Sequence, residues 1–145
     1  MLTDGRVYYG ARGEQLQCFN VKDGHGLKAL ARAGITVAIL SGRRSGAVTR
    51  RCRELGIRHV VQGSQDKLRD FRALSRRLGV TAAQCAYVGD DVPDVQLLRE
   101  VGLAFAVADA HPSARAAAQY TTRLAGGCGA VREVCDRLLA ARAAT

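Results

Sequence analysis

Short apolar runs alternate along the chain with amphipathic stretches in which apolar residues recur at helical spacing. Apolar runs with few polar interruptions are typical of parallel strands that are buried on both faces. The stretch 66–78 illustrates the helical spacing, because Leu68, Phe71 and Leu74 fall on one face. The alternation predicts a parallel, doubly wound α/β sheet. The predicted strands are 35–40, 59–62, 86–88, 103–107 and 120–122, and the predicted helices are 23–33, 45–55, 66–78, 95–101, 112–118 and 130–141.

The N-terminal region departs from this alternation. Residues 6–20 predict a β-hairpin, with strands 7–9 and 16–19 on either side of a turn at 10–13. Its strands are short and carry aromatic side chains on both faces. Because a two-stranded ribbon is at best marginally stable alone, we expect it to pack on a further surface, from this subunit or from another one.

A strand that stops at a glycine and a group of carboxylates is the strongest chemical signal. Gly89, Asp90 and Asp91 directly follow the predicted strand 86–88, and Asp94 lies three residues further on. In open α/β sheets, ligands bind beside the carboxyl ends of the strands. Carboxylates crowded on one loop repel each other unless a cation neutralises them, and hard oxygen ligands suit Mg²⁺. The alternative, that Asp91 or Asp94 only caps the next helix, explains one aspartate and not three.

Two more polar clusters lie at predicted strand ends or helix starts. Ser41 and Arg43 follow the predicted strand 35–40, and Lys67 begins the helix that follows strand 59–62. Right-handed crossovers bring such ends to one edge of the sheet. Ser41 and the amides of its turn can hold a phosphate oxygen, Arg43 can bind an anionic group, and Lys67 can supply a point charge. Each could instead be a helix cap or a solvated surface residue, and it is their joint occurrence that favours a site.

The net charge of +9 would suit a polyanionic partner, but its distribution argues against one. Basic residues are spread over every predicted helix, and aromatic residues make up only 5% of the chain. Without a stacking platform or a nucleic-acid motif, we expect no nucleic-acid partner. A small anionic substrate is the partner that this charge favours.

Chain length and cysteine spacing indicate the number of domains and the redox state of the thiols. A chain of 145 residues predicts a single domain spanning 1–145 with one core. Its five cysteines have no close pair at metal-ligand or redox spacing, so we expect reduced thiols and no zinc. No apolar run reaches the roughly 20 residues of a membrane span, and the N-terminus has no signal-peptide pattern. We therefore expect a cytoplasmic protein without a membrane partner.

The polar clusters, in this order, resemble the motifs of a known superfamily. Ser41 after an apolar strand, then Lys67, then the run from Gly89 to Asp94 are similar to the second, third and fourth motifs of haloacid dehalogenase superfamily phosphatases. Four further segments, at 2–5, 19–24, 106–112 and 126–133, resemble the 3-deoxy-D-manno-octulosonate 8-phosphate phosphatase family. The likeness runs from Leu2 to Leu139.

This resemblance implies a Rossmann-like, three-layer α/β fold without a cap domain, and a Mg²⁺-dependent phosphatase of lipopolysaccharide sugar synthesis. It implies a sugar-acid phosphate substrate and a homotetramer, in which the hairpin assists assembly and a neighbouring subunit covers the active site. Carried over by position, Asp90 is the metal ligand, and Asp91 and Asp94 support the site. Ser41 and Lys67 bind the phosphoryl group, and Arg43 meets the substrate.

The chain departs from the family pattern at two places. Family members often have arginine where this chain has Cys128, so a related nine-carbon sugar-acid phosphate remains an alternative substrate. The first motif, an Asp-x-Asp just before Leu2 that supplies the nucleophile and two metal contacts, is absent, and Asp4 lies too far along to replace it. A catalytically inactive binding or assembly subunit is therefore the alternative function.

In the family, the residue before the segment that Leu2 begins is usually valine. The valine codon GTG can also serve as a bacterial start and is then read as methionine, so we expect that Met1 is a miscalled start inside a longer gene. The missing segment would form the central strand of the sheet. The 145 residues alone are expected to release no phosphate.

Overall fold

The computed structural model of the chain describes residues 1–13 and 15–144. Strands and helices alternate after an N-terminal hairpin, and the predicted α/β class is confirmed. The strands are β1 (Tyr8–Tyr9), β2 (Gln15–Leu16), β3 (Ala38–Ser41), β4 (His59–Gln62), β5 (Ala86–Gly89), β6 (Leu103–Ala106) and β7 (Tyr120–Thr121). The helices are α1 (Val21–Arg32), α2 (Gly46–Leu55), α3 (Lys67–Leu78), α4 (Val95–Glu100), α5 (Pro112–Ala117) and α6 (Ala130–Ala143).

The parallel strands form two separate sheets. β3 pairs with β4, and Ser41 lies opposite Gln62 at the carboxyl end of that pair. β5, β6 and β7 form the second sheet, in which Gly89 lies opposite Ala106. Within the described residues, β3 and β5 each have a partner on one side only, so the two sheets present unpaired edges. The expectation that a segment before Met1 forms the central strand stays a prediction.

Side-chain caps and glycines delimit the helices that lead away from the strands. Ser45 caps α2 by accepting a hydrogen bond from the Val48 amide, and Asp66 caps α3 by accepting one from Arg69. Gly56 and Gly79 end these two helices in the left-handed conformation that glycine adopts most readily. The caps place Lys67 as the first residue of α3.

Three predicted boundaries are wrong by a few residues. α1 begins at Val21, before the predicted start, because the Asn20 side chain accepts the Lys22 amide as its cap. β3 begins only at Ala38, since its pairing with β4 covers four residues. The hairpin strands are two residues long, and the second begins at Gln15 instead of residue 16. Glu14, next to the predicted turn, is outside the described residues.

Among residues 1–13 and 15–144, most buried apolar side chains belong to two clusters, whereas the length predicts one core. The first surrounds α4 and the sheet of β5 to β7, and the second lies between α1, α2 and α6. Met1 packs against the first cluster and Leu2 against the second. The buried members are Leu40, Leu97, Leu98, Val101, Ala104, Ala106, Val107, Ala110, Ala114 and Ala130 in the first, and Leu27, Leu30, Cys52, Ile57, Val131 and Cys135 in the second.

Helices α1 and α6 approach closely at a glycine. A Cβ atom on Gly26 would lie 2.9 Å from Cys135 Cβ and 3.0 Å from Arg132 Cδ. Nearby, the buried Asp23 carboxylate accepts the Arg132 amide at 2.8 Å at the start of α6. Burial raises the pKa of the Asp23 carboxyl, although the hydrogen bond from the Arg132 amide acts to lower it. The C-terminal helix is thereby fixed to the helix that precedes β3.

No helix within residues 1–13 and 15–144 has the length and apolar character required to cross a bilayer.

We predict that Gly26→Ala destabilises the fold by about 1–3 kcal/mol, because the new methyl group overlaps Cys135 and α1 must move. Gly46→Ala is the matched control, since a Cβ there meets nothing within 4 Å. It should cost nothing and can gain up to about 1 kcal/mol from helix propensity. Urea unfolding of both variants measures the difference. Equal stabilities would contradict the close approach of α1 and α6.

Candidate active site

The carboxyl end of β3 closes into a tight turn around Ser41. Its Oγ atom accepts the Arg43 amide at 3.2 Å and donates to the Arg43 carbonyl oxygen at 3.1 Å. The Arg43 side chain belongs to an exposed residue. The turn thus places the Ser41 hydroxyl at the sheet edge, where it can rotate to contact an anion.

The loop that follows β4 is joined to this turn. The Ser64 amide donates to the Ser41 carbonyl oxygen at 3.0 Å, and the Gly63 amide donates to that of Arg43 at 3.3 Å. Gly63 has a φ of +74°, and a Cβ there would lie 2.5 Å from Arg44 Nε. These bonds bring the start of α3, and therefore Lys67, to the same edge as Ser41.

Asp94 is the most connected side chain of the site. Its Oδ1 atom accepts Lys67 Nζ and the Tyr87 hydroxyl, each at 2.5 Å. Its Oδ2 atom accepts the backbone amides of Asp90 at 3.0 Å and Asp91 at 3.1 Å. The residue is 0% exposed. One carboxylate therefore joins β5, α3 and the loop between β5 and α4.

The electrostatics of this cluster keep the Asp94 carboxyl in its charged form. Burial alone would raise the pKa of the Asp94 carboxyl, but the Asp90 amide and the Lys67 ammonium hold it below its usual value. Burial, followed by the charge of Asp94, raises the pKa of Tyr87 well above its ordinary value. Tyr87 consequently keeps its proton and acts as a hydrogen-bond donor to Asp94.

The other two aspartates of the loop have different surroundings. Asp91 is exposed, and its Oδ1 atom accepts the Val92 amide at 2.8 Å, so it caps the short 3₁₀ turn Val92–Asp94. The capping alternative therefore describes Asp91. Asp90 is half-buried, and its Oδ2 atom lies 3.0 Å from the Met1 amino nitrogen. The Asp90 carboxylate thus faces the segment that contains Met1.

Gly89 lets the loop pass close to Asp94. A Cβ at this position would lie 2.8 Å from Asp94 Cβ and 3.0 Å from a methyl carbon of Leu98. A side chain at 89 would push the loop amides away from the carboxylate.

Asp90 is the loop carboxylate that fits a magnesium ion. Asp94 has its oxygens filled by four donors, and Asp91 is used as a cap. Mg²⁺ is commonly held through one or two carboxylates, with water and substrate phosphate completing its shell. Within residues 1–13 and 15–144, no group of three or more His, Cys, Asp or Glu side chains is placed to hold a metal. Asp90 would therefore supply one carboxylate ligand, and water and substrate phosphate would have to supply others.

Sequence reasoning assigned no function to two side chains of this region. The sequence places Tyr87 in a buried strand, and the signal for a role is that a hydroxyl inside an apolar run needs a partner. Arg44, and not Arg43, lines an open depression of about 540 Å³ beside the N-terminus of α2. Its other lining residues include Gly13 and Gln15 of the hairpin region and Gln62 at the end of β4.

Comparison with known proteins defines the class. A profile of the haloacid dehalogenase-like hydrolases matches residues 13–102. The chain is 49% identical over 142 residues to the 3-deoxy-D-manno-octulosonate 8-phosphate phosphatase KdsC of Escherichia coli K12, an alignment that covers 98% of this chain and 76% of that protein. The chain therefore belongs to the haloacid dehalogenase-like hydrolase family, and to its 3-deoxy-D-manno-octulosonate 8-phosphate phosphatases.

Solved structures agree with this placement. The phosphatase of the same name from Moraxella catarrhalis, in complex with magnesium, phosphate and KDO, superposes with a TM-score of 0.95 at 45% identity. That match covers 97% of this chain and 81% of the other. The cobalt-bound enzyme from Haemophilus influenzae gives a TM-score of 0.94 at 42% identity, over 99% of this chain and 84% of the other. The resemblance read from the motifs is confirmed, as are the predicted phosphomonoesterase class and magnesium cofactor.

We predict that Asp94→Asn destabilises the fold by about 3–5 kcal/mol, because it leaves the Lys67 ammonium without its buried counter-charge. Asp91→Asn is the matched control three residues away. It should change stability by less than about 0.5 kcal/mol, since asparagine caps as well as aspartate and the residue is exposed. Chemical denaturation of the two variants checks this. An Asp94→Asn midpoint equal to that of the control would contradict the four-bond geometry.

Proposed function

We propose that this chain carries the site of a Mg²⁺-dependent phosphatase that hydrolyses a sugar-acid phosphate, 3-deoxy-D-manno-octulosonate 8-phosphate. The observation that carries the proposal is the Lys67 ammonium, held by the buried Asp94 at the same sheet edge as the Ser41 turn. A fixed cation at the same edge as a serine hydroxyl is suited to a phosphoryl group. The complex of the Moraxella relative with magnesium, phosphate and KDO supports the choice of ligand.

In this proposal, Lys67 and Ser41 bind the phosphoryl group. The Lys67 side chain is only 13% exposed, so its charge is less screened than that of a surface lysine. Ser41 offers its hydroxyl to a phosphoryl oxygen. Arg43 meets the sugar acid outside the phosphate pocket, where an exposed guanidinium can bind a carboxylate.

Asp90 would hold the magnesium ion, supported by the loop that Asp91 and Asp94 shape. When bound, the ion neutralises charge on the phosphoryl oxygens and helps to orient the ester. Asp90 can do this because it is half-buried on the loop after β5, while Asp94 is filled by four donors and Asp91 caps a turn. Asp94 cannot share the task without losing one of its four donors.

The phosphoryl-accepting group is assigned to the Asp-x-Asp motif, which in the family comes just before the segment that Leu2 begins. Among the described residues of this loop, the three carboxylates have other tasks. We therefore expect residues 1–145 to bind the sugar-acid phosphate without turnover, and a protein that includes the motif to release phosphate through an aspartyl-phosphate. A nine-carbon sugar-acid phosphate is the alternative ligand.

We further propose that the protein works as a cytoplasmic homotetramer, as a single domain over 1–145. Tyr9 and Leu16 of the hairpin are each 63% exposed, and Tyr8 is 50% exposed. An apolar surface on a two-stranded ribbon is suited to burial against another copy. The depression lined by the hairpin and Arg44 opens beside it, where a neighbouring subunit could cover the site.

The functional prediction is tested by calorimetric titration of 3-deoxy-D-manno-octulosonate 8-phosphate in the presence and absence of Mg²⁺. Wild-type chain should bind more tightly with the ion. Asp90→Asn should reduce the gain in ligand affinity that Mg²⁺ produces by at least about 10-fold. This is the lower end of the loss of metal affinity caused by removing an outer-shell partner. Asp136→Asn, an exposed carboxylate paired with Arg132 on α6, is the control that should behave as wild type.

Absence of binding, or Mg²⁺ dependence unchanged in Asp90→Asn, would refute the assignment. Phosphate release is followed in parallel with a colorimetric assay. Robust turnover by residues 1–145, free of host phosphatase, would show that a residue of this chain accepts the phosphoryl group and that the assignment of the nucleophile is wrong.

Light scattering tests the assembly. The measured mass should correspond to about four chains if the apolar hairpin packs against other copies. Leu16→Glu should dissociate it, because a charge is placed in the buried contact. Val80→Glu is the control, since Val80 is also exposed but follows the C-terminus of α3, at the opposite end of the strands from the site. A wild-type monomer at micromolar concentration would end the tetramer proposal.

A further inference from the structure

Tyr87 lies in the candidate active site, but the phosphatase function proposed above gives it no role. It lies in β5, paired with Ala104 of β6, and its ring packs against the first apolar cluster. Its hydroxyl donates to the same oxygen of Asp94 that accepts Lys67. We propose that Tyr87 is a positioning residue that fixes the direction from which Lys67 meets the phosphate group. This inference rests on the proposed phosphate-binding function of Lys67.

The geometry of Asp94 leaves Lys67 a single place to bind. A carboxylate has about four lone-pair sites, two on each oxygen. The amides of Asp90 and Asp91 fill Oδ2, and the Tyr87 hydroxyl takes one site on Oδ1. The remaining site on Oδ1 receives the ammonium. Without the hydroxyl, the ammonium could move across both sites of that oxygen.

Lys67 needs such a constraint because its side chain does not supply one. A lysine ammonium is a compact charge on a flexible four-carbon stem, with no preferred bonding plane. Tyr87, in contrast, has a rigid ring on a strand that is hydrogen-bonded to β6. Because both donors bind Oδ1 of Asp94, the fixed Tyr87 hydroxyl limits the positions that the flexible Lys67 ammonium can take.

The simpler interpretation is that Asp94 merely satisfies a buried hydroxyl. In that case, Tyr87→Phe would lower stability but leave Lys67 in place. The positioning role makes a different prediction, since the same substitution should release Lys67 while leaving the rest of the site unchanged. Two measurements separate these interpretations, and Tyr120→Phe is the matched control on another strand, where the ring stacks on Phe105.

The first measurement needs no ligand. The chain has three lysines, and Lys22 and Lys28 on α1 are exposed, so they serve as internal references. Limited acetylation followed by peptide mass spectrometry gives the relative reactivity of Lys67. Tyr87→Phe should raise it about threefold or more relative to the references, as expected for a lost hydrogen bond, whereas Tyr120→Phe should not. Unchanged Lys67 reactivity in folded Tyr87→Phe would overturn the proposal.

The second measurement compares the phosphorylated sugar acid with the same sugar acid lacking phosphate. Tyr87→Phe should weaken binding of the phosphate ester about three- to tenfold and leave the phosphate-free ligand within about twofold. In a Lys67→Met background, Tyr87→Phe should have no further effect, because the two residues act through one oxygen. Equal losses for both ligands, or additive losses in the double variant, would overturn the proposal.

The two measurements also separate this inference from the proposed function. If wild-type chain binds neither ligand, the phosphatase assignment fails, and Lys67 reactivity alone decides whether Tyr87 positions the ammonium. If wild type binds the ester but Tyr87→Phe binds it equally well, the function stands and the positioning role is refuted.

Discussion

The Asp94 carboxylate imposes the constraint on which the candidate active site depends. A charge that is fully removed from water costs several kcal/mol unless donors surround it, so its environment must be complete. Here the donors come from three different parts of the fold: a strand, a helix start and a loop. Satisfying one carboxylate therefore fixes the relative positions of β5, α3 and the loop that carries Asp90. The glycine at 89 follows from the same requirement, because the loop can reach Asp94 only without a side chain there.

Much of the fold could be predicted from apolar periodicity and helix caps. Strand 59–62 and the helices beginning at 46 and 67 agree with the pattern because a cap or glycine marks their ends. The start of β3 could not be predicted, since residues 35–37 are as apolar as the strand but have no partner in β4. Nor could the division of the core, because periodicity identifies buried faces but not which faces meet.

The candidate site was predictable as a set of residues and not as a network. Order along the chain and the right-handed crossover were enough to bring Ser41, Lys67 and the aspartate loop to one edge. The sequence alone could not assign separate roles to the three aspartates. Whether each one is buried, caps a turn or contacts a cation depends on shifts of a few ångströms in the loop backbone. It also could not identify Tyr87, whose importance lies in which oxygen its hydroxyl reaches. The comparisons define the family, while these separate roles come from the hydrogen bonds.

The split between the two parallel sheets has a consequence for how the molecule behaves in concentrated solution. Within the described residues, β3 and β5 each have one edge without a strand partner, and unpaired edges are the feature by which strands of different chains add to one another. Association through a hairpin surface can close into a ring with a fixed number of subunits, whereas pairing along strand edges adds chains without limit. A strand that pairs with both edges would join the two sheets and remove this route to open-ended association.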